Sequence, residues 1–258
     1  ESSPDSRIIM HLLESPIQDG GQWDMWVNLI NKYGVVPKSE MPETYQSSQS
    51  MRMNRMITRK LREFAKELRY SIKNNIKNED LYELKNQMIS TVYRMLVIHL
   101  GEPPNNFNWQ TRDKKKNFMR FEGLTPQSFF KDHVSIDLSN LICLINCPMS
   151  DKNYKDIYSV KYLGNVVEGQ PIRYLNTEIE ILKKAAIESI KNDDPVWFGC
   201  DVGKYLHRSH GVMDTNLFDF DLFYGTRFSM DKASRLEYGE SKMTHAMLFT
   251  GVDIDSKG

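Results

Sequence analysis

Three cysteines in 258 residues, Cys143, Cys147 and Cys200, are too few and too irregularly spaced for a disulfide framework. They suit a reducing compartment in which thiols stay free, and the expected location is cytoplasmic. Long apolar runs are missing too. Nothing approaches the roughly 20 residues of a membrane-spanning helix, and ESSPDSRIIMHLLES has neither the basic start nor the apolar centre of a secretory signal, so no membrane association is expected. Charge of one sign is absent: 34 basic and 34 acidic residues give a formal net charge of zero, which excludes a global field drawing the chain to nucleic acid or anionic lipid. There is no glycine-rich phosphate loop, internal repeat or low-complexity tract. What is present is a hydrophobic content of 40%, enough for one large core or two modest ones.

The apolar spacing predicts helices in SRIIMHLLES and in QWDMWVNLINKYG, the second running into Gly34 as a C-terminal cap. Pro37 and Pro42 hold the next segment extended. Residues 48–75 carry Met53, Met56, Ile57, Leu61, Phe64, Leu68 and Ile72 at helical spacing. Leu81, Leu84, Met88, Val92 and Met95 repeat the pattern up to Gly101, where Pro103 and Pro104 stop it. A helical hairpin is therefore expected. Beyond it, NFNWQTR and NFMRFEGLTP flank the turn DKKK as a β-hairpin, and TPQSFFKDHV opens a short helix with proline at its first position. Strands are predicted at NLICLINCP, IYSVKYLGNVV, PVWFGCDVG and from Met243 to Val252, with a helix from about Asn176 to Lys191. The expected division is 1–47 for a first helical part, 48–101 for an inserted hairpin, and 102–258 for a β-rich part with shorter helices.

Two places carry candidate chemistry. His245 stands where the last apolar strand begins, followed by small Ala246. A strand histidine is either a hydrogen-bonded core residue or, where a neighbouring small residue leaves room for a ligand, a catalyst. Gly20 and Gly21, before the second helix, are either a turn or a rim along which a peptide backbone can lie as an added strand. Other features read more plainly. Cys200, His207 and His210 fit no compact zinc module and lack a fourth ligand, so no metal is expected. Lys114, Lys115 and Lys116 form a solvated turn.

The segments DGGQWDMWVNLINKYGVVPKSEMPETY, GEPPNNFNW, LTPQSFFKDHV, VWFGCDVGK and YGTRFSMDKASRLEYGESKMTHAMLFTGV together resemble the bleomycin hydrolase and aminopeptidase C branch of the papain-like cysteine peptidases. The resemblance implies an α+β papain-like fold with the helical hairpin as an insertion, and an aminopeptidase that also hydrolyses the amide of bleomycin. By this resemblance His245 is the catalytic histidine, base to a cysteine thiol and later acid to the leaving amine. Gly20, Gly21 and Thr244 are then substrate-binding. Thr244 stands where papain itself has an aspartate, which removes a charge beside the imidazole.

The family's nucleophile lies in a Q-G-x-x-x-x-C-W stretch before the double glycine, and its asparagine in N-S-W-G after the histidine. Neither stretch occurs here, and none of the three cysteines is at a helix N-terminus that would lower its pKa. The chain is therefore expected to be an internal part of the enzyme, inactive alone. Gln18 and Asp19 replace the disulfide cysteine that many papain-like enzymes carry before the double glycine. The resemblance further implies peptide substrates, a homo-oligomer built as a hexameric ring, and no cofactor. Two alternatives are a catalytically dead scaffold and a nucleic-acid-binding ring. For the latter, Arg52, Arg55, Arg59, Lys60, Arg62, Lys66, Arg69 and Lys73 supply local positive charge despite the neutral whole.

Overall fold

Hydrophobic periodicity in the first half of the chain becomes helix almost throughout. The structure, a computed structural model, describes residues 3, 5–17 and 20–255. Gln18 and Asp19 fall outside them. Two compact units divide at 137/138. In the first, Ser6 caps α1 (Arg7–Glu14), its hydroxyl accepting from the Ile9 amide at 3.4 Å. Helix α2 (Trp23–Tyr33) ends at Gly34, whose φ of +72° and amide bond to the Ile30 carbonyl (2.7 Å) close the last turn. A Thr44/Ser47 capping box starts the one-turn α3 (Tyr45–Ser48).

Helices α4 (Met51–Lys73) and α5 (Asn78–Leu100) form the expected hairpin. Met53, Ile57 and Met88 are its buried hydrophobics, each stabilising by about 1.5–3 kcal/mol. The apolar stripe is narrower than its periodicity suggests, since Met56 and Ile72 remain exposed. Arg62 donates from Nε to the Leu13 carbonyl (2.9 Å) and from Nη2 to that of Glu14 (2.7 Å), satisfying the open end of α1.

The chain then reverses through β1 (Phe107–Arg112) and β2 (Phe118–Leu124), antiparallel, with Trp109 opposite Phe121. Asp113 caps the lysine turn by accepting from the Lys115 and Asn117 amides, both at 2.8 Å. Helix α6 (Pro126–Phe129), with a Thr125/Ser128 capping box, runs into a π-helical turn, Phe130–Val134. These elements share an aromatic core: Trp109 stacks on Phe121 at 5.6 Å and meets Phe129 edge-on at 5.0 Å, while the His133 ring lies 4.3 Å from Phe121. The hairpin falls in the first unit, not with the later strands. Part of the reason is local: Val35 donates to the Pro126 carbonyl (3.1 Å) and Gln127 Nε2 to that of Lys32 (3.3 Å), joining the end of α2 to α6.

In the second unit, β3 (Cys143–Ile145), β4 (Ile157–Tyr158) and β5 (Tyr174–Asn176) form a sheet in the order β3-β5-β4, with β3 and β5 parallel. Asn176, fully buried, holds it together. Its Oδ1 accepts from the Cys147 amide (2.8 Å) and its Nδ2 donates to the Cys147 carbonyl (2.9 Å). That role explains why helix α7 begins at Ile179 and runs to Lys191 (Ile179–Lys191) rather than starting near Asn176. Next come β6 (Val196–Cys200), the short hairpin of β7 (Leu206–His207) and β8 (Val212–Met213), helices α8 (Phe220–Tyr224) and α9 (Lys232–Glu237), and β9 (His245–Phe249). IYSVKYLGNVV does not make the long strand expected of it. Tyr162 takes a left-handed φ of +64° and the Leu163 amide bonds back to the Val160 carbonyl (3.3 Å), so the chain turns after Tyr158.

Gly34 can be tested directly. A Cβ there would lie 2.2 Å from the Pro126 carbonyl carbon, on a backbone already at positive φ, whereas one at Gly101 (φ +86°) would meet nothing within 4 Å. Gly101→Ala should lose about 1–3 kcal/mol from backbone strain alone, and Gly34→Ala clearly more, because overpacking is added. Urea unfolding of both variants measures the difference. Equal losses would show that the α2–α6 contact does not constrain this glycine.

Candidate active site

Strand β9 is fixed by its pairing with β6: Val196 faces Phe249, Phe198 faces Met247, Gly199 faces Ala246, and Cys200 faces His245, all antiparallel. Directly opposed residues share a face of the ladder, and successive residues alternate faces. One face therefore carries Val196, Phe198, Cys200, His245, Met247 and Phe249, with the Phe198 and Phe249 rings stacked at 3.6 Å. His245 sits at the end of that face, beside Cys200, and is exposed. The other face carries the small pair Gly199 and Ala246. A Cβ at Gly199 would lie 2.2 Å from the Met243 Sδ, so glycine lets that thioether lie against β6. The strand is not buried as its apolar sequence suggests. Leu248 is 53% exposed and Phe249 39%, because β6 and β9 form a two-stranded sheet among the described residues.

A seam of polar contacts fixes the approach to His245. The Thr244 amide donates to the Cys200 carbonyl at 3.0 Å, and the Thr244 hydroxyl oxygen accepts from the Val202 amide at 3.2 Å. Val202 itself is buried. One step outward, Ser241 Oγ donates to Asp201 Oδ2 (3.2 Å), and Lys204 bridges Asp201 (3.3 Å) and Glu240 (3.1 Å). The hydrogen bond to Glu240 holds the Lys204 ammonium above the usual lysine range. Sequence reasoning singled out His245 and Thr244 but none of Asp201, Val202, Lys204 or Ser241. Apart from the local Lys204–Asp201 pair, their partners lie about 40 residues away in the chain, beyond any local pattern.

Cys200 is the thiol nearest this histidine in the ladder, yet its surroundings do not activate it. Burial, followed by the negative charge of Asp201, pushes its pKa up, so the thiol stays protonated at neutral pH. Cys143 lies within β3 and Cys147 just after it, neither at a helix start. All three cysteines are free.

Gly20 and Gly21 belong to the first unit. Both are exposed, neither has a left-handed φ, and a Cβ on either would meet nothing within 4 Å. Nothing in their backbone demands glycine for a strained turn. His207 and His210 bring their rings to 4.5 Å, with Ser209 Oγ 3.1 Å from His207 Nδ1. Among the described residues, however, no three His, Cys, Asp or Glu side chains gather as a metal would need. No helix of the described residues is long and apolar enough to cross a membrane.

The profile of the Peptidase C1-like family matches residues 1–258, and the chain belongs to that family. Among its relatives, Aminopeptidase C of Listeria innocua is 47% identical over 250 residues, 97% of this chain and 56% of that protein. Bleomycin hydrolase of Homo sapiens is 42% identical over 251 residues, 96% of this chain and 55% of that one. The crystal structure of pepw from Lactobacillus rhamnosis superposes with a TM-score of 0.95 at 46% identity, covering 99% of this chain and 57% of its own. The α+β papain-like fold expected from the sequence is thereby borne out. The chain spans little more than half the length of the relatives it matches.

Thiol chemistry gives a check on this geometry. With Cys143 and Cys147 replaced by serine, alkylation of Cys200 by iodoacetamide should be slow at neutral pH. Its rate should rise only at a pH above the ordinary thiol midpoint, because the thiolate is the reacting form. A midpoint below the ordinary thiol value would mean an activated Cys200 and would return it to contention as the nucleophile.

Proposed function

We propose that the protein containing this chain is a cysteine-type aminopeptidase of the bleomycin hydrolase kind, removing N-terminal residues from peptides and hydrolysing the bleomycin amide. The observation that carries this reading is an exposed imidazole, His245, at the start of a strand whose approach is tied down on both sides. A general base needs an accessible ring nitrogen and a fixed position, and a buried structural histidine would have neither its exposure nor its place at the strand end. The names of the relatives agree.

In this reading His245 accepts the proton of a cysteine thiol as the sulfur bonds to the substrate carbonyl carbon. It then returns that proton to the departing amine, leaving an acyl-enzyme, and water, deprotonated by the same imidazole, cleaves the thioester. None of Cys143, Cys147 and Cys200 stands at a helix start, and burial keeps the Cys200 thiol protonated, so in this reading the thiol comes from polypeptide beyond these 258 residues, as does the asparagine that orients the ring. The open space around Gly20 and Gly21, where a Cβ would meet nothing within 4 Å, supports a role as an edge against which the substrate main chain lies. No metal or organic cofactor takes part. Free thiols accord with a cytoplasmic setting.

Assembly as a homo-oligomeric ring goes with the family reading. The nucleic-acid alternative has less in its favour. Of the basic residues on α4, Arg59 and Lys60 pair with Glu63, Lys73 with Asp5, and Arg62 with backbone carbonyls of α1. Four of those eight side chains thus have intramolecular partners, with Glu63 and Asp5 supplying the opposing charge.

In the full-length enzyme, His245→Ala should lower kcat on an aminoacyl fluorogenic substrate by about a thousandfold or more. Its stability should stay within about 0.5 kcal/mol, as for other exposed positions. Parallel loss of folding and turnover would instead make His245 a structural residue. Gly21→Ala should lower kcat/KM without lowering Tm, since the added methyl meets no protein atom but stands where a substrate backbone would approach. Unchanged kinetics would remove the two glycines from the binding site.

A further inference from the structure

Thr244 touches the backbone on both sides of Asp201, at Cys200 and at Val202, and that geometry assigns it a role different from substrate contact. We propose that Thr244 is the positioning residue for His245: its hydroxyl clamps β9 to the loop after β6 and so fixes where the imidazole stands. The inference rests on the reading of His245 as the catalytic base.

The argument runs from the hydrogen bonds. The Val202 amide belongs to a buried residue, and the Thr244 Oγ1 is its acceptor at 3.2 Å. The Thr244 amide in turn donates to the Cys200 carbonyl at 3.0 Å. Threonine thus binds residues 200 and 202 at once, one through its backbone and one through its side chain. His245 is the next residue, opposite Cys200. Removing the hydroxyl leaves a buried N–H without its acceptor and frees one of the two ties, so β9 can shift against β6 at the end that carries the imidazole. A displacement of about 1 Å at a catalytic base can cost on the order of a hundredfold in rate. The clamp depends on an oxygen acceptor at Cβ, which serine retains and valine lacks while keeping threonine's shape. The outer contacts, Ser241 to Asp201 and Lys204 to Asp201 and Glu240, hold the same two segments together farther from the ring. The loop therefore stays docked when the inner tie is cut, and the loss is one of position rather than of fold.

The test is steady-state kinetics of full-length Thr244→Val, Thr244→Ser and His245→Ala, with thermal melts and kcat–pH profiles. Thr244→Val should lose tenfold to a hundredfold in kcat with KM changed less than twofold, and its kcat–pH profile should shift. Thr244→Ser should restore most of the rate and the wild-type profile. Should Thr244→Val fail to fold, Thr244→Ala, which removes the hydroxyl without a second methyl at Cβ, carries the same expectation. Unchanged kcat on loss of the hydroxyl overturns the proposal. So does a raised KM at constant kcat, the mark of a substrate contact. Full turnover by His245→Ala would overturn the catalytic reading itself, independently of how Thr244 behaves.

Discussion

The pairing of His245 with Cys200 across β6 and β9 is the constraint on which the rest of the site depends. A slip of one residue in that ladder would move every side chain of β9 to the opposite face, carrying the imidazole to the side of Gly199 and Met243. Three features oppose a slip. The stacked Phe198 and Phe249 rings lock the far end of the shared face, the Met243 thioether lies in the space left by the absent side chain of Gly199, and Thr244 ties the near end to Cys200 and Val202. Sheet packing, a steric fit and hydrogen bonds converge on one register. The catalytic candidate sits at the end where the polar ties are densest.

Much of this was legible in the sequence, for physical reasons that differ by element. The α4–α5 hairpin and its stop at Gly101 follow from periodicity and from glycine and proline, which act locally. His245 stands out because an ionisable residue opens an apolar run, although the strand itself proved exposed rather than buried. IYSVKYLGNVV misled because its β-branched and aromatic residues favour a strand, while the positive φ at Tyr162 is a backbone choice that composition does not announce. Helices α8 and α9 are short, rest on Asp219 and Asp231 caps, and carry too few turns for periodicity to show. The seam around Thr244 was invisible for another reason. Its partners meet only when residues some 40 positions apart are brought together, and no local pattern encodes that.

The double glycine shows how backbone angles bear on a sequence reading. Neither Gly20 nor Gly21 takes the left-handed φ that Gly34 and Gly101 adopt, so their backbone does not itself call for glycine. A Cβ on either would meet nothing within 4 Å. Charge tells a similar story on α4, where four of the eight basic residues that look like a binding surface in sequence pair with Glu63, Asp5 or the end of α1.

The central claim is that His245 activates a thiol other than the three present here, and covalent trapping reads it most directly. The full-length enzyme is treated with a peptidyl electrophile that alkylates an activated cysteine, digested, and mapped by mass spectrometry. The account predicts a single adduct on a cysteine outside residues 1–258, lost in His245→Ala. An adduct on Cys143, Cys147 or Cys200, or labelling that persists without His245, would contradict it.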